Sequence, residues 1–306
     1  MIIRPLADGE LDLFLTLDGP AFNPSGRDFL ATAAERHYRP GWTWVAQRGG
    51  RVVARAAWWG APDDDHPIAL DWFDLGPDPD RIAVAAALLR AALEVVRTVD
   101  GDPPDYHLFL PPDWRDRPEV RSSAEERIEA AGRAGLRPFV ERLRYQWAPS
   151  SGLPARSARV TFSPVPGDDV LLEVLERINH GTLDAHTRRD LERDGARQAA
   201  RVQLDQLLWM PAPRDWWRLA YTPGGELVGV VMPTRNHESP VIGCLGVVPE
   251  QRGHGYAGDL LAEATVFLAE QGAERILADT DTGNRPMAAA FERTGYRVTG
   301  ARIVLA

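Results

Sequence analysis

The chain has 306 residues, 44% of them hydrophobic, and a formal net charge of -9; that is material for one or two ordinary cores, and it argues against general attraction to nucleic acid or anionic membrane. All 35 basic side chains are arginine, which excludes Schiff-base and Walker-lysine chemistry, and the lone Cys244 can form neither an internal disulfide nor a cysteine-based metal site. No apolar run reaches membrane-spanning length and the first eight residues turn acidic rather than forming a signal peptide, so the expectation is a cytoplasmic protein.

In chain order, Ile2-Ile3-Arg4-Pro5 reads as a strand and Leu11, Phe14 and Leu15 as one face of a helix. The stretch 44–53 is a hairpin turning at Gly49-Gly50. Trp42, Trp44, Trp58, Trp59 and Trp72 suit either strand packing or a ligand cleft, and packing is the plainer reading. After Leu75-Gly76 the chain runs Pro77-Asp78-Pro79-Asp80-Arg81 into a helix marked by Ile82, Leu88, Leu89 and Leu93. Arg133-Ala134-Gly135-Leu136-Arg137 ends a helix and starts a strand, and residues 148–154 have the turn-rich composition of a linker.

The second half repeats these elements in the same order. Residues 160–164 and the helical set Leu171, Leu172, Leu175 and Ile178 parallel the first strand and helix. His180, Asp184, His186 and Asp190 then form a polar cluster whose loose spacing fits a loop better than a metal site, and no metal is expected. Trp209, Trp216 and Trp217 flank Pro211 and Pro213, and residues 218–228 form a second hairpin with a Gly-Gly turn. The turn 235–240 carries His237 and Glu238 and precedes a strand over 241–248.

That strand leads into Arg252-Gly253-His254-Gly255-Tyr256-Ala257 and then an amphipathic helix with Leu260, Leu261, Ala264, Phe267 and Leu268 on one face, ended by Gly272. Two glycines before a helix let consecutive N–H groups face an anion at the positive helix end, so the loop reads as a pyrophosphate cradle. Further on, Asn284, Met287, Ala290, Phe291, Gly295 and Tyr296 mark an Asn-capped helix followed by a Gly-aromatic strand start.

The pattern Val-x-Pro-x-x-Arg-Gly-x-Gly-x-Ala resembles motif A of the GNAT acyltransferases, and the set from Asn284 to Tyr296 resembles their motif B. The resemblance implies an α/β fold of two tandem GNAT-like domains, each a mixed, mostly antiparallel sheet flanked by helices. It gives a first domain over 1–149, a linker at 150–157 and an acyl-CoA-binding catalytic domain over 158–306. It also implies acetyl-CoA as acyl donor, held by Leu245, Val247, Arg252, Gly253, His254, Gly255, Tyr256 and Ala257, with Asn284, Met287 and Phe291 alongside, and a small-molecule amine as acceptor near His180, Asp184 and His186. Asn284 also suits a plain helix cap, and Met287 and Phe291 suit a core.

Three departures shape the expected chemistry. The first half lacks the glycine turn, and Asp78 and Asp80 would repel a phosphate there, so that half is expected to bind no coenzyme at this position. Phe291 stands where many GNAT enzymes carry a tyrosine that protonates the departing thiolate, so either another group serves, with Tyr221 and Tyr296 as candidates, or the thiolate leaves with solvent help; the acid is left unassigned. For the base, Glu238 and His237 are the candidates, against a solvated turn. The reading is an N-acyltransferase acting on a primary amine, with a non-catalytic acyl-CoA-binding or scaffold module, or a protein-directed acetyltransferase, as alternatives; oligomeric state is left open.

Overall fold

Strand segments rich in β-branched and aromatic residues alternate with helices in the order the repeats predict. A computed structural model describes residues 1–17, 28–236 and 238–306. The described chain divides into two compact units, Met1–Glu141 with Gly300–Ala306, and Arg142–Thr299.

In the first unit, β1 (Ile2–Pro5) pairs antiparallel with β2 (Thr43–Arg48), and β2 with β3 (Arg51–Trp59). Gly49 and Gly50, at φ of 57° and 79°, make the tight turn between β2 and β3 in the left-handed region that matches strand twist. β4 (Ala69–Leu75) lies antiparallel to β3, and α3 (Arg81–Leu93) carries the chain across to β5 (Asp105–Leu110), which runs parallel to β4 at Ala69↔Asp105 and Leu70↔Tyr106. The short helices α1 (Leu11–Phe14) and α2 (Phe29–Ala34) bring Phe14 and Phe29 onto Tyr38 and Trp72 in one buried cluster. Trp44, Trp58 and Trp72 are buried, so these strand tryptophans fill the core. α4 (Pro118–Ala134) closes at Gly135, whose φ of 115° permits the left-handed helix end.

In the second unit the sheet order is β6, β11, β10, β9, β8, β7. Its strands are β6 (Pro138–Trp147), of which residues 142–147 belong here, β7 (Thr161–Pro164), β8 (Arg218–Tyr221), β9 (Leu227–Arg235), β10 (Pro240–Val247) and β11 (Ile276–Asp281). β10 and β11 are parallel; the other described pairs are antiparallel. α5 (Asp168–Asn179), α6 (Ala185–Asp194) and α7 (Ala196–Trp209) lie in sequence between β7 and β8, and the cluster of Leu171, Leu175, Leu204, Leu207, Val230 and Met232 packs α5 and α7 against the sheet. α8 (Tyr256–Glu270) and α9 (Arg285–Arg293) share a second cluster with Tyr145, Trp147, Ile276 and Ala278.

The unit boundary differs from the expected linker at 150–157. β6 enters the second unit at Arg142, because Leu143, Tyr145 and Trp147 pack in the α8–α9 cluster while the strand pairs with β11 from Trp147↔Ile276 to Arg142↔Asp281. The linker segment itself packs there, with Trp147 Nε1 donating to Gly152 O at 2.9 Å. Conversely, β12 (Arg297–Leu305) begins in the second unit, but its last residues pair with β5 of the first, from Ala301↔Leu110 to Leu305↔Tyr106. Each sheet is therefore completed by a strand from the other half of the sequence.

Candidate functional site

The sequence 249–257 folds as a turn because Pro249 opens a short 3-10 segment and glycines follow where the backbone must turn left-handed. Gly253 and Gly255 have φ of 85° and 80°, and α8 starts directly after them. Among the described residues the N–H groups of residues 253–257 have no backbone acceptor, whereas those of Gln251, Arg252 and Gly258 do. Five consecutive donors thus stand free at the positive end of a four-turn helix, the arrangement that binds anions. His254 is exposed and Tyr256 half-buried.

Arg252 is placed differently from the expectation. Its Nε donates to Val247 O at 3.1 Å, Nη1 to Gly181 O at 3.3 Å and Nη2 to Ile178 O at 2.8 Å, so the guanidinium ties the loop to the end of α5. The cation beside the cradle is Arg159, which sequence reading missed because it belongs to no motif. Its Nη2 donates to His254 O at 2.6 Å, Nη1 lies 3.4 Å from Asp259, and the guanidinium sits 4.7 Å over the Tyr256 ring.

Behind the loop, the parallel pairing of β10 and β11 is recorded at Val241↔Leu277, close to the start of both strands, while β10 runs on to Val247 and β11 to Asp281. The register of β10 against β9 shifts between Ile242 and Cys244. Beyond that bulge the β11-facing edge of β10, including Leu245 and Val247, has no described strand partner, and a chain of main-chain groups lines the gap. Two glycines allow the close packing that holds this strand: a Cβ on Gly229 would lie 2.0 Å from Gly246 O, and one on Gly246 would lie 2.4 Å from Ile178 Cδ1.

On α9, Asn284 caps the helix, its side chain accepting from Met287 N at 3.3 Å. Met287 is half-buried and Phe291 buried; Phe291 stacks on Tyr145 with centroids 4.7 Å apart. Of the two candidate acids, Tyr296 is committed elsewhere. Thr265 Oγ1 donates to Leu261 O, so the 2.8 Å contact between Thr265 and Tyr296 uses the phenol's only hydrogen, and burial holds that phenol well above its ordinary pKa. Tyr221 packs at the edge of the α5–α7 cluster.

The acceptor candidates separate into two groups. Glu238 is exposed in the β9–β10 turn, where Asn236 Oδ1 accepts from the N–H of Glu238 at 2.9 Å and of Ser239 at 2.8 Å. It lines a cavity of about 550 Å³ with Trp216, Arg235, Leu268, Gln271 and Arg275. This is the opposite end of β10 from the cradle, roughly 20 Å away from Leu245 at about 3.3 Å per residue. His237 lies outside the described residues. His180 ends α5 with its side chain exposed.

Asp184 and His186, by contrast, come together with two residues the sequence did not flag. Asp184 caps α6, accepting from Thr187 N at 2.9 Å, and pairs with Arg142 of β6 at 3.2 Å; His186 Nδ1 lies 3.3 Å from Arg142 Nη1. Asp281, the last residue of β11, accepts from Ala185 N at 2.6 Å and lies 3.3 Å from Arg142 Nε. Burial works to raise the Asp184 carboxyl, but Arg142, Thr187 N–H and His186 outweigh it and hold it below the usual range. Burial and then the charge of Asp184 push the Asp281 carboxyl up, and burial does the same for Asp190. Cys244, at the bulge, is pushed up to about 12 by burial and by Asp184. Gln203 of α7 reaches the same place, bonding Cys244 Sγ at 3.3 Å and Asn179 Nδ2 at 3.0 Å. Among the described residues no group of three or more His, Cys, Asp or Glu side chains is placed to hold a metal ion, and no helix is long and apolar enough to cross a membrane.

Residues 183–296 match the family described as Acetyltransferase (GNAT) family. The second unit holds a GNAT-family domain. Over its whole length the chain is similar in fold to a GCN5-related N-acetyltransferase from Sphaerobacter thermophilus, with a TM-score of 0.64 at 16% identity, covering 99% of this chain and 94% of that one. A tandem GNAT protein from the clavulanic acid biosynthesis pathway gives 0.51 at 18% identity, covering 99% and 97%. A glucosamine N-acetyltransferase region of a fungal multi-domain GH3 β-N-acetylglucosaminidase gives 0.57 at 15%, covering 100% of this chain and 38% of that one. No curated protein matches the chain in sequence. The fold of the whole chain is thus a tandem GNAT arrangement.

Against the GNAT loop of the second unit, the first unit shows two replacements. At the start of α3, Asp80 holds the N-cap position without a side-chain cap bond, and Arg48 clamps it through two contacts of 3.0 and 2.7 Å with Asp78 at 3.9 Å. A surface ion pair stands at the start of this helix. The first-unit strands β4 and β5 part beyond Leu70↔Tyr106 as β10 and β11 do, but a side chain enters there. Arg127 of α4 donates from Nε to Phe73 O at 2.8 Å and from Nη2 to Asp74 Oδ1 at 2.7 Å, and it is buried. With Gly135 aligned on Gly295, Arg127 occupies the position of Met287.

Proposed function

We propose that the chain is an acyl-CoA-dependent N-acyltransferase whose active site lies in the second unit. Acetyl-CoA is its donor and the primary amine of a small molecule its acceptor. The observation that carries this reading is the row of five unpaired N–H groups at 253–257 before α8. They fit the pyrophosphate of the coenzyme, with Arg159 adding positive charge at the rim. The gap between β10 and β11 then takes the pantetheine against Met287 and Phe291, and brings the thioester to the bulge near Cys244. Main-chain groups of β10 orient the carbonyl there, and catalysis rests on positioning the amine for attack.

A second reading, a coenzyme-binding module without turnover, is favoured by one observation: Phe291 has no hydroxyl and the Tyr296 hydroxyl is committed to Thr265. Titration calorimetry with acetyl-CoA and an assay of released thiol over a panel of primary amines separate the two. The enzyme gives saturable heat and turnover; the module gives heat alone. Gly255→Glu places a side chain at a φ of 80° and a negative charge in the cradle, and is expected to weaken acetyl-CoA binding by about 100-fold or more, roughly 3 kcal/mol. Unchanged binding in that variant contradicts the cradle.

A further inference from the structure

We infer that the acceptor is a cationic amine, received as an ammonium by Asp184 and Asp281, and that Asp281 takes its proton. The inference rests on the proposed acyl-transfer reading and names the substrate charge and the proton acceptor for that site. Three observations lead to it.

The first is charge. Asp184 and Asp281 face one guanidinium, that of Arg142, with His186 Nδ1 beside it and Asp190 on the next turn of α6. Of the charged side chains in direct contact, two carboxylates meet one cation; Arg188, exposed on α6, also acts on Asp281, and Asp190 is paired with Arg193. The second is an unsatisfied atom. Asp281 is 3% exposed, and its Oδ2 accepts from Ala185 N, yet Oδ1 makes no hydrogen bond and has only the 3.3 Å ion-pair contact with Arg142 Nε. A buried carboxylate oxygen without a donor is costly, and an N–H from a ligand removes the cost. The third is position. Counting on from the parallel register Val241↔Leu277, Asp281 at the end of β11 is level with Leu245 of β10, just past the bulge between Ile242 and Cys244 where the donor carbonyl is placed. Asp184, whose side chain is 29% exposed, is the outer member of the pair, and Asp281 at 4% the inner one.

The chemistry balances without a further reactant. The ammonium gives one proton to the Asp281 carboxylate; the freed nitrogen lone pair attacks the thioester carbon and forms the C–N bond. The C–S bond breaks, the thiolate leaves with its electron pair and takes up the second N–H proton, and Asp281 releases its proton to solvent. Asp281 is suited to this step because burial and the charge of Asp184 make its carboxylate hold a proton more tightly than an ordinary one.

The test compares the full chain with Asp281→Asn, which keeps an oxygen for Ala185 N–H and removes the charge. With benzylamine, phenethylamine and 1,4-diaminobutane as ammonium probes and aniline as the neutral one, the unmutated chain is expected to release thiol with the ammonium probes and little with aniline. Asp281→Asn is expected to lower kcat/KM for the alkylamines by about 100-fold or more, with the acetyl-CoA dissociation constant unchanged. Aniline turned over as well as the alkylamines overturns the inference without any variant. Near-parental turnover in Asp281→Asn overturns it and leaves the acyl-transfer reading standing. Failure of the unmutated chain to bind acetyl-CoA or to release thiol with any probe removes both.

Discussion

Arg252 is a motif residue whose guanidinium is bonded to the protein's own backbone. Its three guanidinium nitrogens meet main-chain carbonyls of Val247, Gly181 and Ile178, which fixes the cradle's position relative to α5. Sequence spacing identifies the glycines, because their left-handed backbone is a local requirement, but it cannot say which cation lies beside the loop. Arg159 does, 95 positions away from His254 in the chain, and such a pairing leaves no local trace. The same limit applies to Asp281 and Arg142: one ends β11, the other lies in the middle of β6, and their meeting across the β6–β11 ladder depends on register. Tyr296 offers a sharp test of residue roles. With its hydroxyl donated to Thr265 inside the core, Tyr296→Phe is expected to cost about 1 kcal/mol of stability in denaturant unfolding while leaving kcat unchanged; a large fall in kcat would make this phenol the thiolate's acid after all.

At the level of elements, most helices and hairpins follow from apolar spacing and turn residues. α8 and α9 carry their expected caps and stops, with Gly255 before one and Asn284 before the other. The partnership of β6 does not follow. Leu143, Tyr145 and Trp147 announce a strand with one buried face, yet alternation encodes a face and not a neighbour. Glycines within strands mark the other hidden constraint. Gly229 has an ordinary negative φ, so nothing conformational demands glycine there; the demand comes from Gly246 O, 2.0 Å from the position of a Cβ. Because the obstructing atom is main chain, no side chain can yield, and Gly229→Ala is expected to destabilise the second unit by about 3 kcal/mol. Thermal unfolding with and without acetyl-CoA reads both that loss and the accompanying weakening of coenzyme binding, as β10 is displaced.

For the molecule as a whole, the duplication was legible and the division of the chain was not. Matching turns, helix ends and strand starts in the two halves give the tandem arrangement, whereas the expected cut at 150–157 assumes that each copy keeps its own last strand. The structure has each sheet finished by the other copy's strand, residues 142–147 on β11 and 301–305 on β5. A chain ending at Thr299 is accordingly expected to retain the glycine loop before α8 but to expose the backbone edge of β5. Limited proteolysis should cut it first within residues 69–141; equal protection of that region in the truncated and full chains would contradict the pairing.

The exchanged strands also bear on how the protein is made. Leu110 meets Ala301 only after roughly 190 further residues have left the ribosome, a wait of about 10–40 s at ~5–20 residues per second. Throughout that interval the amino-terminal sheet carries an unpaired backbone edge, open to a nascent neighbour on the same message or to a chaperone. The first sheet is therefore completed only once residues 301–305 have been made.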